Sequence, residues 1–88
     1  MSDHRPTLKN WSWDGVGLRG EVYGYPGKPE GRMIATSNLD NIYRDDDGVL
    51  LGQCRSRTYI LEGIDPGFEE SFPGAEERLI QSFKERQN

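Results

Sequence analysis

Apolar and polar residues alternate clearly in one part of the chain, residues 16–25, which read VGLRGEVYGY. Leu18 and Val22 share one parity with two glycines, whereas Arg19, Glu21 and Tyr23 occupy the other parity. A period of two is typical of a strand that is buried on one face and exposed on the other. Glycines inside such a strand indicate a bend or a close approach of neighbouring backbone. The segment therefore predicts a strongly bent strand.

Other segments have the apolar and β-branched residues of strands, although their alternation is less regular. Trp11 and Trp13 are two residues apart, so a strand would place both on one face. Glycine and proline in YPGKPEG then predict a loop. Three further strands are predicted around residues 34–38, 49–54 and 58–62.

The end of the chain changes to a helical pattern. In AEERLIQSFKERQN, Leu79, Ile80 and Phe83 form an apolar stripe at helical spacing, with acidic residues at the start and basic residues at the end. This pattern predicts a helix at about residues 75–86. The preceding IDPGFEESFPG contains proline and glycine breaks and is predicted to be a loop.

These elements predict an α+β fold, namely a small antiparallel sheet or barrel-like domain of four to five strands with one C-terminal helix. Residues 1–10 are polar, and Pro6 discourages early structure, so we expect a flexible lead-in there. Residues 11–88 are then expected to form a single domain, which fits a chain of 88 residues.

Composition narrows the range of functions. The chain has 11 basic and 15 acidic residues, giving a net charge of -4, which argues against a general nucleic-acid binder and against docking on an anionic membrane. It has no apolar run of membrane-spanning length and no apolar signal-peptide core in MSDHRPTLKN. The single cysteine excludes an intrachain disulfide, and a cytoplasmic location is expected.

The segment DDDG, residues 45–48, is the part of the sequence that most resembles a metal loop. If Gly48 is aligned with the glycine of a calcium-binding loop, Tyr43 and Cys54 occupy the two end-ligand positions, and neither supplies the required carboxylate. Asp47-Gly48 between two predicted strands is instead a strong hairpin signal. We therefore predict a turn whose extra carboxylates keep its tip solvated and present negative charge.

Catalytic and cofactor-binding residues are not predicted. The one histidine, His4, lies in the expected lead-in, and Cys54 has no histidine near it in sequence and is expected to be a buried thiol. A zinc site would need several Cys or His ligands, and the chain has only one cysteine and one histidine. The spacing of GVGLRG mimics a dinucleotide-binding pattern, but no strand–loop–helix unit surrounds it. No catalytic residue, metal or cofactor is expected, and the chain is not expected to be an enzyme.

Three sets of residues are candidates for binding a partner. Trp11 and Trp13 either anchor the core or form an exposed aromatic pair, and aromatic residues of this kind are favoured at interfaces. Arg55 and Arg57 share a parity and could bind an acidic partner or a phosphate. The third set lies in a stretch without basic residues, and could form an acidic strip complementary to a basic surface: Glu69, Glu70, Glu76 and Glu77. For both charged sets the alternative is an ordinary solvated surface.

Residues 20–63 resemble a loose set of short, mostly uncharacterised proteins of bacteria, prophages and mobile elements. The resemblance rests on GEVYGYP, EGRMIATSNL and SRTYILEG, and Tyr25 stands where a histidine is more often expected before the proline. It implies a compact β-rich domain of phage or mobile-element character, and it implies no reaction.

The expected function is a non-catalytic cytoplasmic protein–protein interaction module, encoded by a phage or prophage, that binds a host or viral protein. One alternative is an anti-CRISPR-like inhibitor of a host nucleic-acid-handling defence complex that acts through the acidic strip. A second alternative is a small nucleic-acid binder that uses the aromatic residues and the two arginines. A homodimer through an open sheet edge is also left open.

Overall fold

The computed structural model describes residues 5–86, which form a five-stranded barrel and two helices. The predicted α+β class, with antiparallel neighbours and a C-terminal helix, is confirmed. The elements in chain order are β1 Thr7–Trp13, β2 Gly17–Tyr23, β3 Arg32–Arg44, β4 Leu50–Cys54, β5 Thr58–Ile64, α1 Pro66–Ser71 and α2 Ala75–Arg86.

The strands close into a barrel in chain order. Each consecutive pair is antiparallel, and the closing pair, β1 with β5, is parallel, with Thr7 opposite Ile60 and Trp11 opposite Ile64. Among residues 5–86, β1 to β5 each pair with two neighbours, so none of these strands lies at the edge of an open sheet. The possibility of a homodimer stays a prediction.

Strand β1 begins inside the segment expected to be a flexible lead-in. Thr7 opens the strand, Leu8 is fully buried, and the Pro6 carbonyl accepts a hydrogen bond from Ile60 N at 2.9 Å. The prediction was therefore wrong for residues 7–10, because pairing with β5 orders a stretch whose own sequence is polar. Residues 1–4, including His4, lie outside the described part of the chain.

The DDDG segment forms the predicted turn, between β3 and β4. Gly48 has φ 82° and its N–H donates to the Asp45 carbonyl at 3.0 Å, while Asp45 Oδ1 accepts from Asp47 N and Val49 N at 2.9 Å each. The first carboxylate of the run thus holds the turn together. Asp46 and Asp47 are exposed at its tip.

The core fills the inside of the barrel and continues to α2, whose predicted apolar stripe is partly confirmed. Leu79 and Phe83 are buried, and Ile80 is half-buried against the core. The buried apolar residues of the strands are Leu8, Trp11, Leu18, Val22, Leu39, Ile42, Leu50, Leu51, Cys54, Tyr59 and Leu61. Within residues 5–86, neither helix is long and apolar enough to cross a membrane.

The two ends of the barrel differ. At one end β1 finishes and β4 begins, and α2 packs there, with the Phe83 ring 6.0 Å from the Trp13 ring; we call this the helix-covered end. At the opposite end β2 finishes, and β1, β3 and β5 begin; we call this the uncovered end. The loop of residues 24–31 and the turn of residues 55–57 lie at the uncovered end.

Helix α1 lies in the segment expected to be a loop. Asp65 is its N-cap and accepts a hydrogen bond from Phe68 N at 3.0 Å, and Pro66 occupies the first helical turn. Proline is tolerated there because the first N–H groups of a helix have no intrahelical partner. The sequence Asp65-Pro66-Gly67 therefore starts a helix and does not form the predicted loop, so the prediction was wrong.

Candidate binding site at the uncovered end

An aromatic and cationic cluster lies at the uncovered end, and we call it the Tyr25 corner. Its members come from two separate parts of the chain. Tyr25 and Lys28 belong to the loop between β2 and β3, Arg57 directly precedes β5, and Tyr59 is the second residue of β5. The fold, rather than sequence proximity, brings them together.

The Tyr25 ring is the centre of this cluster. The Arg57 guanidinium carbon lies 4.4 Å from the ring centroid, and Lys28 Nζ lies 5.3 Å from it. The ring of Tyr59 stacks at a centroid distance of 6.4 Å with an interplanar angle of 30°. Both cations are attracted to the negative face of an aromatic ring, so the Tyr25 ring holds two positive charges within 5.3 Å of its centroid.

The loop that carries Tyr25 is fixed by its own hydrogen bonds. The Tyr25 carbonyl accepts from Lys28 N at 3.1 Å, and the Glu30 carboxylate accepts from Gly24 N at 2.7 Å. Gly31 N donates to the Val22 carbonyl at 2.7 Å where the loop returns to the barrel. These bonds at both ends of the loop limit the positions that the Tyr25 ring can take.

The turn of residues 55–57, directly before β5, is also fixed by hydrogen bonds. Cys54 N donates to the Arg57 carbonyl at 2.9 Å, and Ser56 N donates to Ser37 Oγ at 3.1 Å. Arg55 N donates to the Asn38 carbonyl at 2.9 Å. The backbone of Arg57 is therefore tied to β4 and, through its neighbours, to β3.

Arg57 differs from the arginines that form ion pairs elsewhere on the surface. Arg19 pairs with Asp14, Arg44 with Glu76 and Glu77, and Arg55 with Asp40. Within residues 5–86, by contrast, no carboxylate pairs with Arg57 or Lys28. A guanidinium that is stacked on a ring keeps its planar fork of N–H donors at its edge, and that fork matches a carboxylate or a phosphate.

Tyr59 is the buried member of this cluster, and burial raises its pKa to about 12. Charge on Tyr25 and Cys54 contributes to this raised pKa after burial, whereas the positive charge of Arg57 lowers it. Because the folded state binds the Tyr59 proton more tightly than the unfolded state, its contribution to stability is complete below the ordinary tyrosine pKa. That contribution is lost as the pH rises through about 12.

We therefore expect Arg57→Gln to raise the pKa of Tyr59. The tyrosinate absorbance of the variant should show its last transition at a higher pH than in the unchanged protein. Tyr59→Phe, measured in parallel, should lack that transition. An unchanged last transition in Arg57→Gln would contradict the electrostatic effect of Arg57 on Tyr59.

The tryptophans predicted as candidates lie in or against the core. Trp11 is fully buried and its ring is 6.1 Å from the ring of Phe68, while Trp13 is half-buried against Phe83. Asn10 has φ 50°, and the pairing of β1 with β2 shifts register between Lys9 and Ser12. Of the two alternatives for the tryptophans, the structure shows the one in which they anchor the core. Trp11 therefore offers no surface to a partner.

The two arginines predicted as a pair have different surroundings. Arg55 is mostly exposed, and its Nη2 lies 3.4 Å from the Asp40 carboxylate. Arg57 lies on Tyr25 instead. Their shared parity therefore does not translate into one joint site, and only Arg57 belongs to the Tyr25 corner.

The acidic candidates have separate local contacts. Glu76 and Glu77 both accept from Arg44, at 3.0 and 2.7 Å, and Glu69 accepts from Gly74 N at 2.8 Å. Glu70 is exposed on α1. Most of these carboxylates thus already have a donor within the chain. An interface through this strip stays a prediction.

Sequence reasoning missed Tyr25, Lys28 and Tyr59 as members of a site. Two local signals were available. Lys28 is the only cation of the YPGKPEG loop and lies three residues after Tyr25, which is the separation across a β-turn. Tyr59 lies two residues after Arg57 and so shares its side of an extended chain. Nothing local indicated that the two pairs would meet.

Comparison of the chain with protein-family models, with curated proteins and with solved structures finds no match. Within the described residues, no group of three or more His, Cys, Asp or Glu side chains is arranged to hold a metal ion. Cys54 is buried, its Sγ donates to Thr36 Oγ1 at 3.2 Å, and burial raises its pKa.

Proposed function

We propose that this chain is a non-catalytic protein–protein interaction module whose Tyr25 corner binds an acidic segment of another protein. The observation that carries the proposal is the state of Arg57, whose guanidinium is fixed over the Tyr25 ring without a carboxylate partner in residues 5–86. A cation held in place before binding loses little conformational freedom when an anion arrives.

The neighbouring groups support an acidic peptide as the occupant. Lys28 adds a second positive charge beside the same ring, and the half-buried Tyr25 ring, backed by the buried Tyr59 ring, offers apolar area next to it. Aromatic and arginine side chains together are typical of the residues that dominate protein interfaces. The combination suits a segment in which a carboxylate lies beside an apolar side chain.

Charge favours a protein segment over a nucleic acid. A nucleic-acid binder contacts several phosphates and needs a correspondingly broad basic surface. The Tyr25 corner supplies two cations, and the net charge of the chain is -4, so a long polyanion would be repelled beyond the uncovered end. A short acidic segment contacts only the corner, so the positive charges of Lys28 and Arg57 dominate the potential that it experiences.

A displayed library of random peptides tests this proposal. We expect selection on the unchanged protein to enrich sequences that contain Asp or Glu. Arg57→Gln should weaken the binding of those peptides by about tenfold or more, because a hydrogen bond to a charged group contributes about 1.5–3 kcal/mol.

The matched control is Arg78→Gln. Arg78 also lies over an aromatic ring, with its guanidinium carbon 4.1 Å from the Phe72 centroid, but it is on α2. This variant should bind the selected peptides as tightly as the unchanged protein. Enrichment of peptides without acidic residues, or equal losses in both variants, would contradict the proposed site.

A further inference from the structure

The turn between β3 and β4 projects two exposed carboxylates, and we call residues 45–48 the hairpin tip. The Asp45 carboxylate accepts hydrogen bonds from backbone N–H groups of the turn. The carboxylates of Asp46 and Asp47, by contrast, accept no hydrogen bond and form no ion pair within the described residues. Gly48 has open space around it, so no other part of residues 5–86 packs against that side of the tip.

The hairpin tip and the Tyr25 corner lie at opposite ends of the barrel. The tip joins the end of β3 to the start of β4, at the helix-covered end, and the corner lies where β2 ends and β5 begins. The charges around them differ in sign. Of the residues that the structure describes, basic ones outnumber acidic ones near the uncovered end, where Arg5, Lys28, Arg32, Arg55 and Arg57 accompany Glu30 and Asp40.

The helix-covered end has the opposite balance. Arg44, Arg78, Lys84 and Arg86 lie there with a larger number of carboxylates, namely Asp45, Asp46, Asp47, Asp65, Glu69, Glu70, Glu76, Glu77 and Glu85. The molecule therefore has a positive end and a negative end. Two copies placed end to end attract each other, since complementary potentials steer association.

From this arrangement we propose that the Tyr25 corner of one copy binds the hairpin tip of a second copy. The inference rests on the proposed function, because it uses the same corner. Within residues 5–86, the corner presents two cations without a carboxylate partner and the tip presents two carboxylates without a donor, so the numbers of charges match. Arg57 would hold one carboxylate of the tip by its N–H fork, and Lys28 would face the other.

Such an interface joins two different surfaces. It is therefore heterologous, and it leaves a free corner at one end of the pair and a free tip at the other, so further copies can add. The contact is small and depends on exposed charges, which makes it weak and sensitive to salt. Self-association would then compete with an acidic partner for the same corner.

Sedimentation equilibrium of the full chain tests this inference. At about 0.01 M salt, where charges interact over roughly 30 Å, we expect an average mass above the 10.0 kDa of one chain. At about 1 M salt the range falls to roughly 3 Å and the mass should return to that of one chain.

Two double variants identify the surfaces. The corner variant carries Lys28→Gln and Arg57→Gln, and the tip variant carries Asp46→Asn and Asp47→Asn. Each alone should remain a single chain at low salt. A mixture of the two should form pairs and nothing longer, because only one intact corner and one intact tip can meet.

The control variant removes two other carboxylates from the helix-covered end, through Glu70→Gln and Glu85→Gln, and should associate like the unchanged protein. The inference is overturned if the unchanged protein stays a single chain at low salt, or if the tip variant still associates. If the single chain nevertheless binds acidic peptides at the corner, only this inference fails; loss of peptide binding as well would remove the proposed function.

Discussion

Replacing Trp11 with alanine is expected to lower the free energy of unfolding by about 3–5 kcal/mol, the range for large aromatic side chains in cores. Trp11 is fully buried between the barrel interior and the ring of Phe68. Its Nε1 has no hydrogen-bond partner within the described residues, so the loss comes from packing rather than from a broken hydrogen bond. Since domains of this size have about 5–15 kcal/mol of stability, much of the protein should be unfolded under mild denaturant.

Denaturant unfolding of three variants checks this expectation. Trp11→Phe keeps an aromatic ring in the same place and should lose less stability than Trp11→Ala. Met33→Ala changes a side chain that is 63% exposed and should alter stability by no more than about 0.5 kcal/mol. A Trp11→Ala protein as stable as the Met33→Ala protein would show that Trp11 does not anchor the core.

A second large effect is expected when Gly17 is replaced by alanine. A Cβ at this buried position in β2 would lie 2.6 Å from the Ser37 carbonyl oxygen and 2.8 Å from the Thr36 carbonyl oxygen. Both atoms belong to the backbone of β3, so relief requires the two strands to separate. Overpacking of this kind costs about 1–3 kcal/mol, and the upper end is expected here.

Gly52→Ala is the matched comparison. Gly52 is also buried in a strand, but its Cβ would first meet the tip of the Leu18 side chain at 2.7 Å and then that of Leu61 at 3.2 Å. A side-chain tip can rotate away, so the loss should lie near the lower end of the same range. If unfolding experiments give Gly52→Ala the larger loss, the close strand approach at Gly17 is not the constraint that we describe.

The strands and the C-terminal helix were predictable because their patterns are local. The alternation around Leu18 and Val22 gives the buried face of β2 directly, and Asp47-Gly48 gives the turn between β3 and β4. The stripe of Leu79 and Phe83 likewise gives the buried face of α2. In each case the physical cause lies within a few residues of the signal.

The closure of the barrel was not predictable in the same way. Thr7 and Leu8 become a strand because β5, some fifty residues later, lies beside them in parallel register. Tertiary contacts of this range override local propensity. The start of α1 was missed for a different reason, since Asp65-Pro66 is compatible with both a turn and a capped helix.

The candidate site was half visible in the sequence. Arg57 was a candidate because of its charge. The position of its guanidinium over the Tyr25 ring, however, depends on two loops that meet at the uncovered end. Arg55, two residues earlier, had the same charge and parity and pairs with Asp40 instead. Charge in a sequence shows which groups are available, and only the fold shows which of them lack a partner.

The central claim is that the Tyr25 corner binds acidic peptide segments. Titration of the isotopically labelled protein with a short aspartate-rich peptide, followed by amide chemical shifts in nuclear magnetic resonance spectra, tests it most directly. We predict that the shifts concentrate at Tyr25, Lys28 and Arg57, and that they disappear in Arg57→Gln but persist in Arg78→Gln. Shifts that cluster on α2, or that remain unchanged in Arg57→Gln, would contradict the claim.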